Sequence, residues 1–447
     1  MLVQEFRHRR PLALLLPFLV IAVLGPMLIG HCGVTKAAAR PLPAPRAWPG
    51  AELPPVMLPG AAGLPAVAPV ALPTPPPAAE AAPIVDLDHI RLERGRYVGT
   101  AADGRTVELT LDPALQKRAD EVLRRAGVAY GAAVFVSIPD GKVLAMTGRS
   151  RLEPQRTVTD LTLRPWAPAA SVFKVITSAA LLDGRKVKAD GRVCYHGGGG
   201  RLLRENIEDR PRLDRRCADL AHAVGLSTNS IIAKLAHRHL DPDTLRRYVD
   251  AFGFNAGLQP SAAFPFEVAA SPAEVPSEDL EFARTAAGFW HVFLSPLHGA
   301  RIASAFANAG LMVGPRLVER VRGLDGQVTE PRAPEPVRVI PADVARDVGR
   351  MMVGTTRFGT ARGAFAGGGR RRLGYEVAGK TGSLSRAKPY THYNWFVGFA
   401  PAGHPQVAFG VIVGTDGRNI KAAEVAREVL KEAALKDGRS NTLMARK

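Results

Sequence analysis

Apolar and polar positions divide this 447-residue chain into three regions. The first is an uncharged apolar span from Pro11 to Gly30, preceded by Arg7-His-Arg-Arg10. As a helix this span would reach ~30 Å, about one hydrocarbon thickness. The basic residues ahead of it predict a cytoplasmic tail over 1–10 and a translocated body. The span 11–30 is expected to be a transmembrane anchor, and the competing reading is a signal peptide cut near Ala37-Ala-Ala39. Cys32 follows His31, a poor match to the small residue a lipoprotein signal needs.

The second region, 31–85, is a Pro/Ala-rich linker. Fourteen of the 37 prolines fall between Pro41 and Pro83, among alanines, valines and leucines. Such a segment cannot bury a core and favours polyproline II, which predicts a spacer spanning up to ~130 Å if fully extended.

The third region, 86–435, is long enough for a substantial core and reads as one two-lobed unit, followed by a basic tail over 436–447. Asp112-Pro113 is an N-cap with proline at the first helical position, and Gly127 ends that helix. Two alternating apolar runs between Gly131 and Met146 flank Pro139-Asp-Gly-Lys142, a hairpin turn. From Ser171 to Leu182 the chain is apolar on every side except for its serines, threonine and lysine, and it stops at Asp183-Gly184. That pattern predicts a buried helix. A second helix-like run covers 230–237, and strand signals with turn punctuation cover 375–379, 393–400 and 406–413. Strands early and late with helices between them predict an α/β sheet domain with a helical insertion.

Three short motifs carry candidate chemistry in this frame: Ser171-Val-Phe-Lys174, Ser227-Thr-Asn229 and Lys380-Thr-Gly382. Positions i and i+3 share a helix face, so Lys174 is expected beside Ser171. A lysine on a buried helix loses solvation, and its pKa falls toward the range of a useful base. Ser171 is expected at the helix start, where free N–H groups favour a developing anion. The plainer alternative is a capping serine with a snorkelling lysine. Ser227 and Asn229 are expected on the loop entering the 230–237 helix, where Asn229 can anchor a substrate amide and Ser227 can relay a proton; simple capping of that helix is the alternative. Lys380 and Thr381 on a strand can bind a carboxylate, and Gly382 permits close backbone approach. The alternative there is an exposed edge-strand lysine.

Together the motifs resemble the penicillin-binding protein transpeptidase domain, the serine acyl-transferase family shared with serine β-lactamases. The resemblance runs over roughly 108–415. It includes Glu108-Leu-Thr-Leu-Asp-Pro113, Ser295-Pro-Leu-His-Gly-Ala300, Phe306-Ala-Asn-Ala-Gly310 and Gly354-Thr-Thr-Arg-Phe-Gly-Thr-Ala361. It implies a five-stranded antiparallel sheet flanked by helices, beside an all-helical lobe, with the site in the cleft between them. It also implies roles. Ser171 is acylated by a D-Ala-D-Ala stem peptide or by a β-lactam, and Lys174 is the base. Ser227 and Asn229 complete the proton and amide network, and Lys380 and Thr381 recognise the terminal carboxylate. The backbone N–H groups of Ser171 and Ser383 form the oxyanion hole. The chain departs from the family at Pro168-Ala-Ala170, where Pro-Gly is usual, at Gly288-Phe-Trp-His291, where Gly-Gln-Gly is usual, and at Ser295, where threonine is usual.

A D,D-carboxypeptidase would use the same site with water as acceptor. A β-lactamase would need a Glu-x-x-x-Asn element between Ser227 and Lys380, and none is present. A β-lactam sensor or wall-binding scaffold is the non-enzymatic alternative; a sensor would need a cytoplasmic effector, for which the residues before Pro11 leave no room. Of three cysteines, Cys194 and Cys217 are the candidate disulfide pair outside the membrane span; two free thiols are the alternative. No Cys/His cluster has zinc-ligand spacing, so neither metal nor cofactor is expected. The net charge of +18 raises nucleic acid as a partner. The arginines are spread along the chain without a nucleic-acid motif, and the body is expected outside the cytoplasm, so the expected partners are stem peptides, β-lactams and the membrane.

Overall fold

The computed structural model describes residues 84–332, 334–366, 373–388, 390–416, 421–433 and 435. The expected N-terminal tail, the apolar span, all of the proline-rich segment but its last two residues, and the basic C-terminal tail lie outside the described residues. Among the described residues no helix is long and apolar enough to cross a membrane.

A central sheet is built from β1 (Tyr130–Ser137), β2 (Val143–Ser150), β3 (Ala378–Ala387), β4 (Tyr390–Ala400) and β5 (Val407–Thr415). Its order is β3-β4-β5-β1-β2, and every neighbouring pair is antiparallel. The helices that matter below are α1 (Pro113–Ala126), α2 (Lys174–Asp183), α3 (Leu220–Leu226), α4 (Asn229–His239), α5 (Pro296–Ala307), α6 (Ala342–Arg357) and α7 (Ala422–Leu430).

Successive strand residues face opposite sides, so Trp395 and Phe396 enter different cores. On one face Phe135, Phe396, Phe409 and Val411 meet Leu115 and Leu123 of α1 and Val425 and Val429 of α7. On the other, Ala132, Trp395, Val397 and Ile412 meet Ile302 of α5, Val348 and Met352 of α6, and Val175 and Ile176 of α2. All of β5 is buried, which explains why its sequence reads as a continuous apolar run instead of an alternating one. The sheet is thus flanked by helices on both faces, with α2, α3 and α4 on the side that carries the motifs.

The predicted cap of α1 is present: Asp112 Oδ1 accepts from the Ala114 and Leu115 N–H groups at 2.9 Å each, and Gly127 is left-handed. A cap of this kind is worth about 1 kcal/mol. The structure departs from sequence expectation in two places. A second five-stranded sheet pairs Arg91–Glu93, Arg96–Thr100 and Thr106–Leu109 with Val318–Arg322 and Val328–Thr329, joining segments far apart in the chain. The helix expected from Ser171 begins at Lys174 instead, after a 3-10 turn over Ala170–Phe173. Ala170 has φ +51°, which interrupts any helical approach and makes the chain enter through a tighter turn.

Candidate active site

That tighter turn governs the first motif. In a 3-10 turn residues i and i+3 eclipse, so Ser171 and Lys174 lie one above the other. Lys174 Nζ and Ser171 Oγ are hydrogen-bonded at 2.7 Å. Ser171 is half-buried, whereas Lys174 is fully buried, as are all the residues of α2 through Leu181. The approach to the turn is pinned by Trp395, whose Nε1 donates to Pro168 O at 2.8 Å. Holding an alanine in the left-handed region costs roughly 1–2 kcal/mol, and here the surrounding core sustains it beside the serine.

The second motif closes over Lys174 from the helical side. Ser227 is the left-handed C-cap of α3, and Asn229 is the first residue of α4. Asn229 Oδ1 accepts from Lys174 Nζ at 2.7 Å, and Ala287 O accepts from the same nitrogen at 2.5 Å. The third motif closes it from the sheet. β3 is an edge strand, yet Lys380 is wholly buried, because its side chain turns to the helical side and donates to Ser227 Oγ at 2.9 Å. The exposed edge-strand alternative therefore fails. Gly382 lies against the serine turn: a Cβ there would sit 2.9 Å from Ala169 O and 3.2 Å from the Ala170 Cβ. Only glycine lets the strand approach so closely.

Burial holds both amines below the ordinary ammonium range. Lys174 is lowered well below it by desolvation first and by the charge of Lys380 second. Lys380 is lowered to about 7 by desolvation. Two amines brought this close in a dry site cannot both stay charged, and a neutral amine touching a serine hydroxyl can take its proton. The remaining cation, on the strand, can hold an anion.

The structure thus brings together Ser171, Lys174, Ser227, Asn229 and Lys380, with Thr381 and Gly382 on the same strand. Ser383 continues the strand, exposed, and its Oγ accepts from Asn394 Nδ2 at 3.0 Å. Cys194 and Cys217 are joined in a disulfide. Sequence reading missed three contributors. Thr360 Oγ1 meets Thr381 Oγ1 at 2.5 Å, and the Thr360 N–H donates to Gly225 O of α3 at 3.1 Å, so the segment after α6 ties strand to helix. Thr360 lay within the quoted 354–361 stretch but had no feature marking it as a site residue. The other two are the carbonyls of Ala287 and Gly199, the latter accepting from Asn229 Nδ2 at 2.6 Å. A backbone carbonyl leaves no trace in residue type.

The family model described as the penicillin binding protein transpeptidase domain matches residues 131–432. The peptidoglycan D,D-transpeptidase PbpA of Mycobacterium tuberculosis is 27% identical over 378 residues, covering 76% of this chain and 74% of that protein. Penicillin-binding protein PbpB of Mycolicibacterium smegmatis is 27% identical over 344 residues, covering 71% of this chain and 52% of that one. Among solved structures, the imipenem acyl-enzyme complex of penicillin-binding protein A from M. tuberculosis superposes with a TM-score of 0.62 at 26% identity, covering 74% of this chain and 80% of its own. The D,D-transpeptidase domain of a peptidoglycan glycosyltransferase from Eggerthella lenta gives 0.61 at 26% identity, covering 75% and 84%. With a family match over well more than half its length, this chain belongs to the penicillin-binding protein transpeptidase family.

Proposed function

We propose that this chain is a serine D,D-transpeptidase that cross-links peptidoglycan stem peptides through an acyl-enzyme on Ser171, and that β-lactams acylate the same serine. The observation that carries the reading is the 2.7 Å contact between Ser171 and a fully buried lysine, opposite a second lysine on the facing strand. Neutral Lys174 takes the Ser171 proton as Oγ attacks the carbonyl of the penultimate D-Ala. Charge developing on the carbonyl oxygen is met by the N–H groups of Ser171 and Ser383, and loss of one such donor costs ~3–4 kcal/mol. The proton passes through Ser227 to the departing D-Ala amine. Lys380 and Thr381 hold the terminal carboxylate, and Asn229 holds a substrate amide. An acceptor amine then attacks the ester and releases Ser171.

The rest of the chain fits a wall-directed enzyme. The span 11–30 anchors it in the cytoplasmic membrane, 31–85 is the spacer, and 86–435 is the catalytic unit on the far side.

A synthetic stem peptide ending in D-Ala-D-Ala, supplied with and without an amine acceptor, tests the activity. A new amide product that rises with acceptor concentration is the expected outcome. Release of D-Ala with no amide product identifies a carboxypeptidase instead, and no turnover of either kind, with no penicillin labelling, rejects the acyl-transfer reading.

The pH dependence follows from the two lysines. Lys174 acts unprotonated, so acylation is lost as pH falls through its lowered pKa. Lys380 acts protonated, so acylation by a carboxylate-bearing penicillin is lost as pH rises past about 7 in the free enzyme. The second-order acylation constant should therefore be bell-shaped in pH, and Lys380→Arg should move the alkaline limb upward because a guanidinium keeps its charge. A constant that climbs steadily to the pKa of a free lysine contradicts both assignments.

A further inference from the structure

The side-chain amide of Asn229 is asymmetric, and its two ends face different partners. Oδ1 accepts from Lys174 and Nδ2 donates to Gly199 O. The orientation is set from behind by a loop that no motif includes. That loop, 197–200, leaves a short hairpin of Val193–Tyr195 against Arg216–Ala218, in which Cys194 lies opposite Cys217 and is bonded to it. Helix α4 grips the loop at two points and the hairpin strand before it at a third. Asn229 Nδ2 holds Gly199 O, Ser230 Oγ holds Gly197 O at 3.1 Å, and Lys234 Nζ holds Cys194 O at 3.1 Å. Lys234 is wholly buried and pairs with Asp214 at 2.7 Å, and Asp214 in turn meets His196 Nδ1 at 2.6 Å. Gly197 and Gly198 are both left-handed, and a Cβ on Gly198 would lie 2.9 Å from the Ser230 side chain.

We propose that this disulfide-tied glycine loop is a positioning element for acylation: it holds the Asn229 amide with oxygen toward Lys174, and it keeps its place only while Cys194 and Cys217 are bonded. The proposal rests on the roles given above to Ser171 and Lys174. Released from Gly199, the amide can rotate and present its NH2 to Lys174, donor against donor. That contact disfavours the ammonium form, so the acid limb of acylation moves to lower pH while the rate falls because Asn229 no longer holds the substrate amide. A disulfide that only stabilises the fold would move neither.

The test measures the second-order acylation constant for a fluorescent penicillin across pH, on the full chain. Four samples are compared: the oxidised protein, the same protein reduced by dithiothreitol, and Gly198→Ala and Gly200→Ala with the disulfide intact. Dithiothreitol converts the bond to two thiols and leaves as its own cyclic disulfide. Reduced protein and Gly198→Ala should each lose about 10–100-fold, as misplacement near the chemistry does, with the acid limb displaced downward. Gly200→Ala, where a Cβ meets open space, should stay within about twofold. Reduced protein that acylates within about twofold of the oxidised form with an unmoved acid limb overturns the proposal, whatever happens to its melting temperature. A loss on reduction that Gly198→Ala does not share also overturns it, because the loop would then not be the link. Should reduction unfold the chain at the assay temperature, Gly198→Ala decides alone. Failure of the underlying reading shows separately, as labelling that survives Ser171→Ala.

Discussion

Ser171→Ala is expected to abolish covalent labelling by a fluorescent penicillin and turnover of a D-Ala-D-Ala peptide, while leaving the melting temperature nearly unchanged. The hydroxyl meets Lys174 Nζ at 2.7 Å. It is half-buried at the mouth of an otherwise buried helix, so an electrophile can reach it. Of the other hydroxyls in the site, Ser227 is engaged by Lys380, and those of Thr360 and Thr381 meet each other, so none stands against Lys174 to take over. Removing one oxygen from a partly exposed site should change stability by no more than about 1 kcal/mol. Label that persists on Ser171→Ala would place the nucleophile elsewhere and remove the basis for every role assigned here.

The second large effect is expected at Lys174. Lys174→Ala should lower the acylation constant by ~10²–10⁴-fold, the usual contribution of a positioned base. Among the described residues no other amine is hydrogen-bonded to Ser171, and Lys380 is occupied with Ser227 and with the Thr381 carbonyl. Lys174→Arg separates proton transfer from mere hydrogen bonding. A guanidinium retains donors and charge but does not deprotonate in the working range, so arginine should not rescue the rate. Recovery with arginine would reduce Lys174 to an orienting cation. Thermal unfolding of both variants is the control, since shortening a fully buried side chain opens a cavity and lengthening it overpacks the site.

Both effects trace to features with unequal visibility in the sequence. The i, i+3 spacing of Ser171 and Lys174 and the all-apolar stretch that follows were legible, because helical periodicity and burial are local properties. The 3-10 turn was not, because it centres on a left-handed Ala170 whose surroundings, the Trp395 bond to Pro168 and the close approach of Gly382, come from residues more than two hundred positions away. The hairpin at 139–142 and the strand run from 393 were legible from turn residues and strand formers. The second five-stranded sheet was not, since Thr106–Leu109 pairs with Val318–Arg322 and nothing within either segment encodes the other. Cys194 and Cys217 were a candidate pair on counting alone, whereas their opposition in a hairpin, and the hairpin's grip on Asn229, are facts of register.

Residue type and spacing therefore settled which chemical groups this protein owns and which short elements carry them: a serine, two lysines, an asparagine, a buried helix and a set of strands. Only the folded chain decided that Lys380 meets Ser227 and is stripped of water as Lys174 is, so that an edge-strand residue is buried from the helical side. The physical reason is that hydrogen-bond propensity and apolar period act over a few residues. Desolvation and charge repulsion depend instead on everything packed within a few ångströms, whatever its place in the chain.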